Sequence, residues 1–351
     1  MRLLVLQRLA LCACMVLAVG LLRHLAPTRD FSALPGVPAL DPWLRGESFD
    51  CLLAASERGS DRVFPLYPEL VGAFGHVLSV PVAALVVSNL ALIAAVFALQ
   101  ALTAPEDAGL ARRSLLALLF FPSSFLLSAG NDLALFLACA LGTFAAHRAR
   151  REKLAAFCAA GGVLSHPIGA LGLSVPFLVE WLFERRRGGE RSAFPRFVLA
   201  IPAALLLLAA LSRIEIGDAL RFPLRALAFT RLTGDSALAR LGADMPPIEL
   251  VTGYGVGLDW AAIALTAAVA VHCSRRQEYA YASFCALALL GHLLLHASPA
   301  RWFENVNLAF PVFVALGRWC AWPLAGRAYA VAAPMLQVTC AVLFGAGLWA
   351  V

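Results

Sequence analysis

Long uninterrupted apolar runs recur along this chain, and their length sets what it can fold into. They fall at about 3–22, 79–102, 112–128, 132–147, 154–166, 168–184, 197–212, 256–273, 279–297, 305–323 and 328–350. Runs of roughly 18 or more apolar residues match the hydrocarbon core of a bilayer. In that core every backbone N–H and C=O must be satisfied within the protein, which leaves only helices and closed barrels. The runs are continuous rather than alternating, and this excludes the barrel. The expected fold is all-α: a polytopic transmembrane helical protein of about eleven spans, with ten to twelve as the alternative parses. Residues 1–351 are expected to form one integral-membrane domain. Composition agrees. Hydrophobic residues make up 61% of the chain and charged residues 14%, against about 25% charged in a soluble domain.

The charged residues set the expected topology. Arg112-Arg113, the group Arg148, Arg150, Arg151 and Lys153, the group Arg185 to Arg196, Arg275-Arg276, Arg318 and Arg327 all fall in alternate short linkers. The positive-inside rule places those linkers in the cytoplasm. Met1 to Leu22 has the charge and apolar core of a signal peptide but no convincing cleavage site, so it is read as a retained first helix. The net charge of +6 is a topology signal. No aromatic-interleaved basic patch accompanies it, so no nucleic-acid partner is expected. Of nine Cys, only Cys51 lies in a loop, which leaves no disulfide framework and no metal pair. His292 and His296 share a helix face but lack a signature or third ligand, so helix–helix hydrogen bonding is the expectation and no metal is assigned.

Two long loops, 23–78 and 213–255, then lie on the outer face. The first holds Asp41-Pro-Trp-Leu-Arg-Gly-Glu47-Ser-Phe-Asp50 and Phe64-Pro65-Leu66-Tyr67-Pro68. Asn131-Asp132, Ser165-His166-Pro167 and Ser298 to Asn305 reach the same side from separate hairpins. Asn131-Asp132 sits where a helix N-cap belongs. His166 precedes a proline, which disfavours helical geometry there. Arg301 occupies a short outer linker, and Pro68 to Leu78 is suited to lie along the interface. Asp259, near the start of its span, is expected to be hydrated.

These motifs, in this order, resemble the PIG-V-type mannosyltransferases of the GT-C glycosyltransferase superfamily. The resemblance rests on Phe64 to Pro68, Ser88-Asn89-Leu90, Pro122 to Ala129, Leu164 to Gly169, Gly217-Asp218, and Arg301-Trp302 leading to Phe310-Pro311, and it covers most of the chain. It implies a GT-C-like fold without a cofactor. It also implies transfer of a sugar, with mannose expected, from a polyprenyl-phosphate donor to a hydroxyl of a glycan or glycolipid acceptor. The reaction would occur on the periplasmic or luminal face of an inner or plasma membrane. Glu47 or Asp50 would be the catalytic base. Tyr67, Asn131, Asp132, His166 and Arg301 would bind substrate, with Arg301 first among the phosphate ligands. The chain departs from the family pattern at three places. Ser48 stands at the catalytic Asp position when the loop is aligned without gaps. Asn131-Asp132-Leu133 replaces Tyr-Thr-Glu, and His166 replaces an Arg. A non-catalytic homologue, acting as a scaffold or lipid-sugar-binding subunit, is therefore the second reading. A transporter ranks third, because no inverted repeat is evident.

Overall fold

The computed structural model describes Gln7, Ala13, Trp43 and residues 64–166, 168–187, 194–211, 249–296 and 302–345. Among these residues every regular element is helical. The longer helices are α1 (Leu66–Gly75), α2 (Val80–Thr103), α3 (Ala108–Phe120), α4 (Leu133–Arg148), α5 (Glu152–Ser165), α6 (Val175–Arg186), α7 (Ala200–Leu211), α8 (Glu249–Arg275), α9 (Tyr279–His296), α10 (Pro311–Trp319) and α11 (Pro323–Gly345). Val80–Thr103, Gly257–Arg275 and Pro323–Leu343 are long and apolar enough to cross a membrane. Leu133–Arg148, Arg196–Leu207 and Tyr279–His292 are apolar but shorter.

Several expected spans are broken helices. Residues 112–128 form most of α3, a kink and a 3-10 turn at Ser124–Ser128. Phe121, ahead of Pro122, is extended with ψ 137°, because the proline ring crowds a helical predecessor. His166, ahead of Pro167, is likewise extended, with φ −154° and ψ 143°. Residues 302–323 divide into Trp302–Asn305, Val306–Leu308 and α10.

Lipid is as apolar as a leucine side chain, so helices in a bilayer associate through close approach and polar bonds. The sequence supplies both. Ala83, Ala84, Ala91 and Ala95 of α2 are buried, as are Ala134 and Ala140 of α4 and Ala155 and Ala159 of α5. Helix α4 packs between α2 and α5. A Cβ at Gly142 of α4 would come within 2.9 Å of Cys158 Sγ, and one at Gly161 of α5 within 3.0 Å of Cys139 Sγ. Glycine at both places therefore lets α4 and α5 pack this closely without displacing either cysteine side chain.

Charged side chains tie one end of the bundle together. Glu106, in the α2–α3 turn, accepts from Arg148 of α4 at 2.8 Å and from Arg318 of α10 at 2.8 Å. Arg318 also donates to Glu278, in the α8–α9 turn, at 2.7 Å. The guanidinium of Arg148 lies 4.8 Å from the Tyr281 ring centroid. Arg187 donates to Gln277 at 2.6 Å and to Tyr279 at 2.7 Å. Asp107 caps α3, accepting from Gly109 N at 3.0 Å and Leu110 N at 2.8 Å. These turns are among the linkers expected on the cytoplasmic side, and the structure gathers them at one end.

Burial alone would raise the Glu106 pKa above its ordinary 4.5, but hydrogen bonds and charge from Arg318 and Arg148 outweigh it and hold the carboxyl below that value. Its stabilising contribution is thus complete above the unfolded-state value and is lost as pH falls through the lower folded-state value. Replacing Arg318 by Met should cost about 2–3 kcal/mol near neutral pH, since it leaves two partly buried carboxylates short of a partner. Denaturant unfolding of the purified chain should show that penalty shrinking in acid as Glu106 protonates. A penalty unchanged at low pH would contradict the assignment. Arg150 and Gln277 follow α4 and α8 with φ of 57° and 64°, the left-handed conformation that glycine adopts without strain. Arg150→Gly should therefore raise unfolding stability by about 1 kcal/mol.

Candidate functional site

At the opposite end of the bundle the chain makes an irregular corner over residues 121–132, between α3 and α4. Leaving the helix at Phe121 strands the carbonyls of the preceding turn, and buried carbonyls need partners. Side chains from distant parts of the sequence provide them. Leu119 O accepts from Ser124 Oγ at 2.9 Å, from Gln337 Nε2 of α11 at 2.8 Å, and from Gln7 Nε2. Phe121 O accepts from Ser124 Oγ at 2.9 Å and from Gln337 Nε2 at 3.1 Å. Ser123 O accepts from Asn307 Nδ2 at 3.0 Å.

The second half of the corner carries the polar residues. Tyr67 is fully buried, and its hydroxyl donates to Ala84 O at 3.0 Å and lies 2.9 Å from Ser88 Oγ. Ser88 in turn donates to Asn131 O at 3.0 Å. Ser128 Oγ donates to Asn89 Oδ1 at 2.9 Å. Gly130 N donates to the carbonyl of Trp43 at 3.2 Å. Trp43 is buried and belongs to the first long loop, four residues before Glu47. The motif residues thus form two hydrogen-bonded sets, Tyr67 with Ser88 and the Asn131 carbonyl, and Asn89 with Ser128.

The N-cap expectation holds for Asn131 and is corrected for Asp132. Asp132 occupies the position before α4, but its side chain makes no capping bond. Asn131 Oδ1 accepts from Leu133 N at 3.2 Å instead. Asp132 is half-buried and accepts the backbone N–H of Phe136 through its carbonyl at 2.9 Å. The Phe136 ring lies 5.0 Å from the ring of His166. His166 is half-buried, and its Nδ1 accepts from Ile168 N at 3.3 Å. Tyr67 and the Asn131 backbone are thus joined through Ser88, and His166 packs against Phe136, in the opening turn of α4. Glu47, Asp50 and Arg301 lie outside the described residues.

The neighbour of Arg301 is well anchored. Trp302 is buried, donates Nε1 to Thr266 Oγ1 of α8 at 3.1 Å, and packs its ring 5.0 Å from His292 of α9. Phe303 N donates to Asp259 Oδ1 at 2.8 Å, and the Phe303 ring lies 6.3 Å from that of Phe121. The segment that follows Arg301 thus adjoins the 121–132 corner. Asp259 corrects an expectation. It is buried, at 7% exposure, rather than hydrated. A carboxylate that close to a span end reads as hydrated until a backbone N–H from another segment is brought to it.

Helix α1 covers most of the segment expected along the interface. Tyr67 and Val71 are buried on one side, while Phe74 at 40% and Val77 at 87% exposure face outward. Among the described residues, no three His, Cys, Asp or Glu side chains come together as a metal ion would require. In comparisons with known proteins, no family model and no curated protein matches this chain.

Two substitutions test the corner. Tyr67→Phe should cost about 1–2 kcal/mol, since it deprives buried groups of a hydroxyl partner. Asn131→Ala should cost about 1 kcal/mol through the lost cap. Because the Tyr67 hydroxyl bonds the Ser88 hydroxyl directly, a double-mutant cycle of Tyr67→Phe with Ser88→Ala by denaturant unfolding should give less than the sum of the two. Strict additivity would count against the linkage.

Proposed function

We propose that this chain is an integral-membrane, GT-C-type glycosyltransferase. It would take a sugar, mannose in the first instance, from a polyprenyl-phosphate carrier and pass it to a hydroxyl of a glycan or glycolipid. The reaction would face the periplasm or lumen from an inner or plasma membrane crossed several times. The observation that carries this reading is convergence. Trp43, four residues before Glu47 in sequence, gives its carbonyl to Gly130 N of the 121–132 corner, next to Asn131 and Asp132. His166 and the segment after Arg301 adjoin the same corner.

The chemistry asks for three groups. Glu47 or Asp50 accepts the proton of the acceptor hydroxyl as its oxygen attacks the anomeric carbon. The bond from that carbon to the carrier phosphate breaks with inversion. The departing polyprenyl phosphate carries the developing negative charge, and Arg301 with His166 holds it. Asn131 and Asp132, at the opening turn of α4, line the sugar site, and Tyr67 holds the floor beneath them.

A second reading is a scaffold or lipid-sugar-binding homologue without catalysis. It draws on the same corner: Tyr67, Ser88 and Asn131 are committed to bonds within the protein, which is what a retained framework needs.

Replacing Glu47 and Asp50 together by Ala decides between the two. In membranes supplied with a radiolabelled polyprenyl-phosphate sugar, transfer should fall at least about a hundredfold, the usual effect of losing a general base. Full transfer by the double variant overturns the assignment of the base. Absence of transfer from the unmodified chain, with donor still bound, selects the scaffold.

A further inference from the structure

The charged end of the bundle divides into two halves with different electrostatics. In one half, Glu106 and Glu278 take up Arg148, Arg318 and Arg276, so each of these guanidinium groups has a carboxylate partner. The other half is the corner where the α4–α5 turn meets the 3-10 turn Arg196–Leu199 that leads into α7. Its acid, Glu152, is already engaged from both sides. Oε1 lies 3.3 Å from His147 Nδ1, and Oε2 accepts from Phe197 N at 3.2 Å. That second bond ties the start of α5 to the start of the 3-10 turn. It thereby gathers Arg150, Arg151, Lys153 and Arg196, all four exposed. None of the four takes a carboxylate partner among the described residues.

The surface beside these cations is apolar. Phe157 of α5 is 78% exposed, and Leu199 at the end of the 3-10 turn is 66% exposed. Four uncompensated cations bordering an exposed apolar flank, at the end of a bundle built for lipid, match one molecule in both respects. Its phosphate would meet the cations and its acyl chain would lie along Phe157 and Leu199. Basic pockets between helices at the cytoplasmic side of membrane proteins take anionic headgroups on this principle.

We propose that this corner is a binding site for an anionic phospholipid, with Arg150, Arg151, Lys153 and Arg196 around the headgroup phosphate. The site rests on the membrane reading of the chain and not on the transferase reading. It lies at the end of the bundle opposite the 121–132 corner, so it would regulate or anchor rather than react. Loss of sugar transfer therefore leaves it untouched.

The test uses the full chain incorporated into vesicles of equimolar phosphatidylcholine and phosphatidylglycerol, then extracted in mild detergent. The retained lipids are quantified by mass spectrometry. The unmodified chain should retain phosphatidylglycerol over phosphatidylcholine, and added salt should weaken that preference. Each of the four cations changed to Gln should reduce the preference about fivefold, and the fourfold variant should lose it. Arg275→Gln with Arg327→Gln, cations elsewhere on the chain, should leave it intact. Equal retention of both lipids by the unmodified chain overturns the site, as does an undiminished preference in the fourfold variant. If that variant is not recovered folded, Arg151→Gln and Lys153→Gln singly decide the matter by the same ratio. Full displacement of the lipid by soluble glycerol 3-phosphate also overturns it, because the cations would then bind phosphate without the acyl chain.

Discussion

The end of the bundle that carries the 121–132 corner depends on how backbone carbonyls are satisfied where α3 breaks. Pro122 forbids a helical Phe121, the chain leaves the helix, and Leu119 and Phe121 are left with exposed acceptors in an apolar interior. Gln337 and Ser124 answer both, and Gln7 answers Leu119. Asn307 does the same for Ser123. Amide side chains can serve two partners at once, which is why Gln and Asn recur at this place. One covalent constraint therefore recruits α11, the 302–310 segment and Gln7 to a single locus. The candidate site is built on that locus, so its framework and its chemistry share residues.

The two ends of the bundle are held by different physics. At the corner, neutral donors and acceptors close a buried network with no charge to desolvate. At the other end, arginines reach across turns to glutamates in a partly solvated layer, where ion pairs avoid the full cost of burial. Between them, alanine and glycine let α2, α4 and α5 approach closely. A buried network fixes geometry tightly, which suits a site. A partly solvated charge layer with surplus cations suits contact with headgroups.

Much of the helical class was legible in the sequence because apolar run length and charge asymmetry are local quantities. The broken spans were legible only in part. Pro167 marked a break at His166, but 112–128 read as one span although the chain leaves the helix ahead of Pro122, and 305–323 read as one span although it divides into short turns before α10. For the site, His166 and the Asn131-Asp132 pair could be named from their places beside a proline and a helix start. The division of labour between Asn131 and Asp132 could not, because the cap depends on which side chain points at Leu133 N. The partners of Asp259 and Trp302 were not legible for a similar reason: they lie 44 and 36 residues away, beyond any periodicity.

The sequence by itself determined that this chain forms helices suited to a membrane, that helical geometry yields at His166, and which linkers carry the positive charge. Each follows from hydropathy, proline stereochemistry or charge counted along the chain. The tertiary structure alone decided that Tyr67, Ser88 and Asn131 form one buried hydrogen-bonded chain and that Trp43 brings its loop to Gly130. It also decided that Glu152 bonds His147 and Phe197 N rather than the cations around it. These are pairings between residues far apart in sequence. Directional bonds of about 3 Å exist only once packing has fixed which donor faces which acceptor.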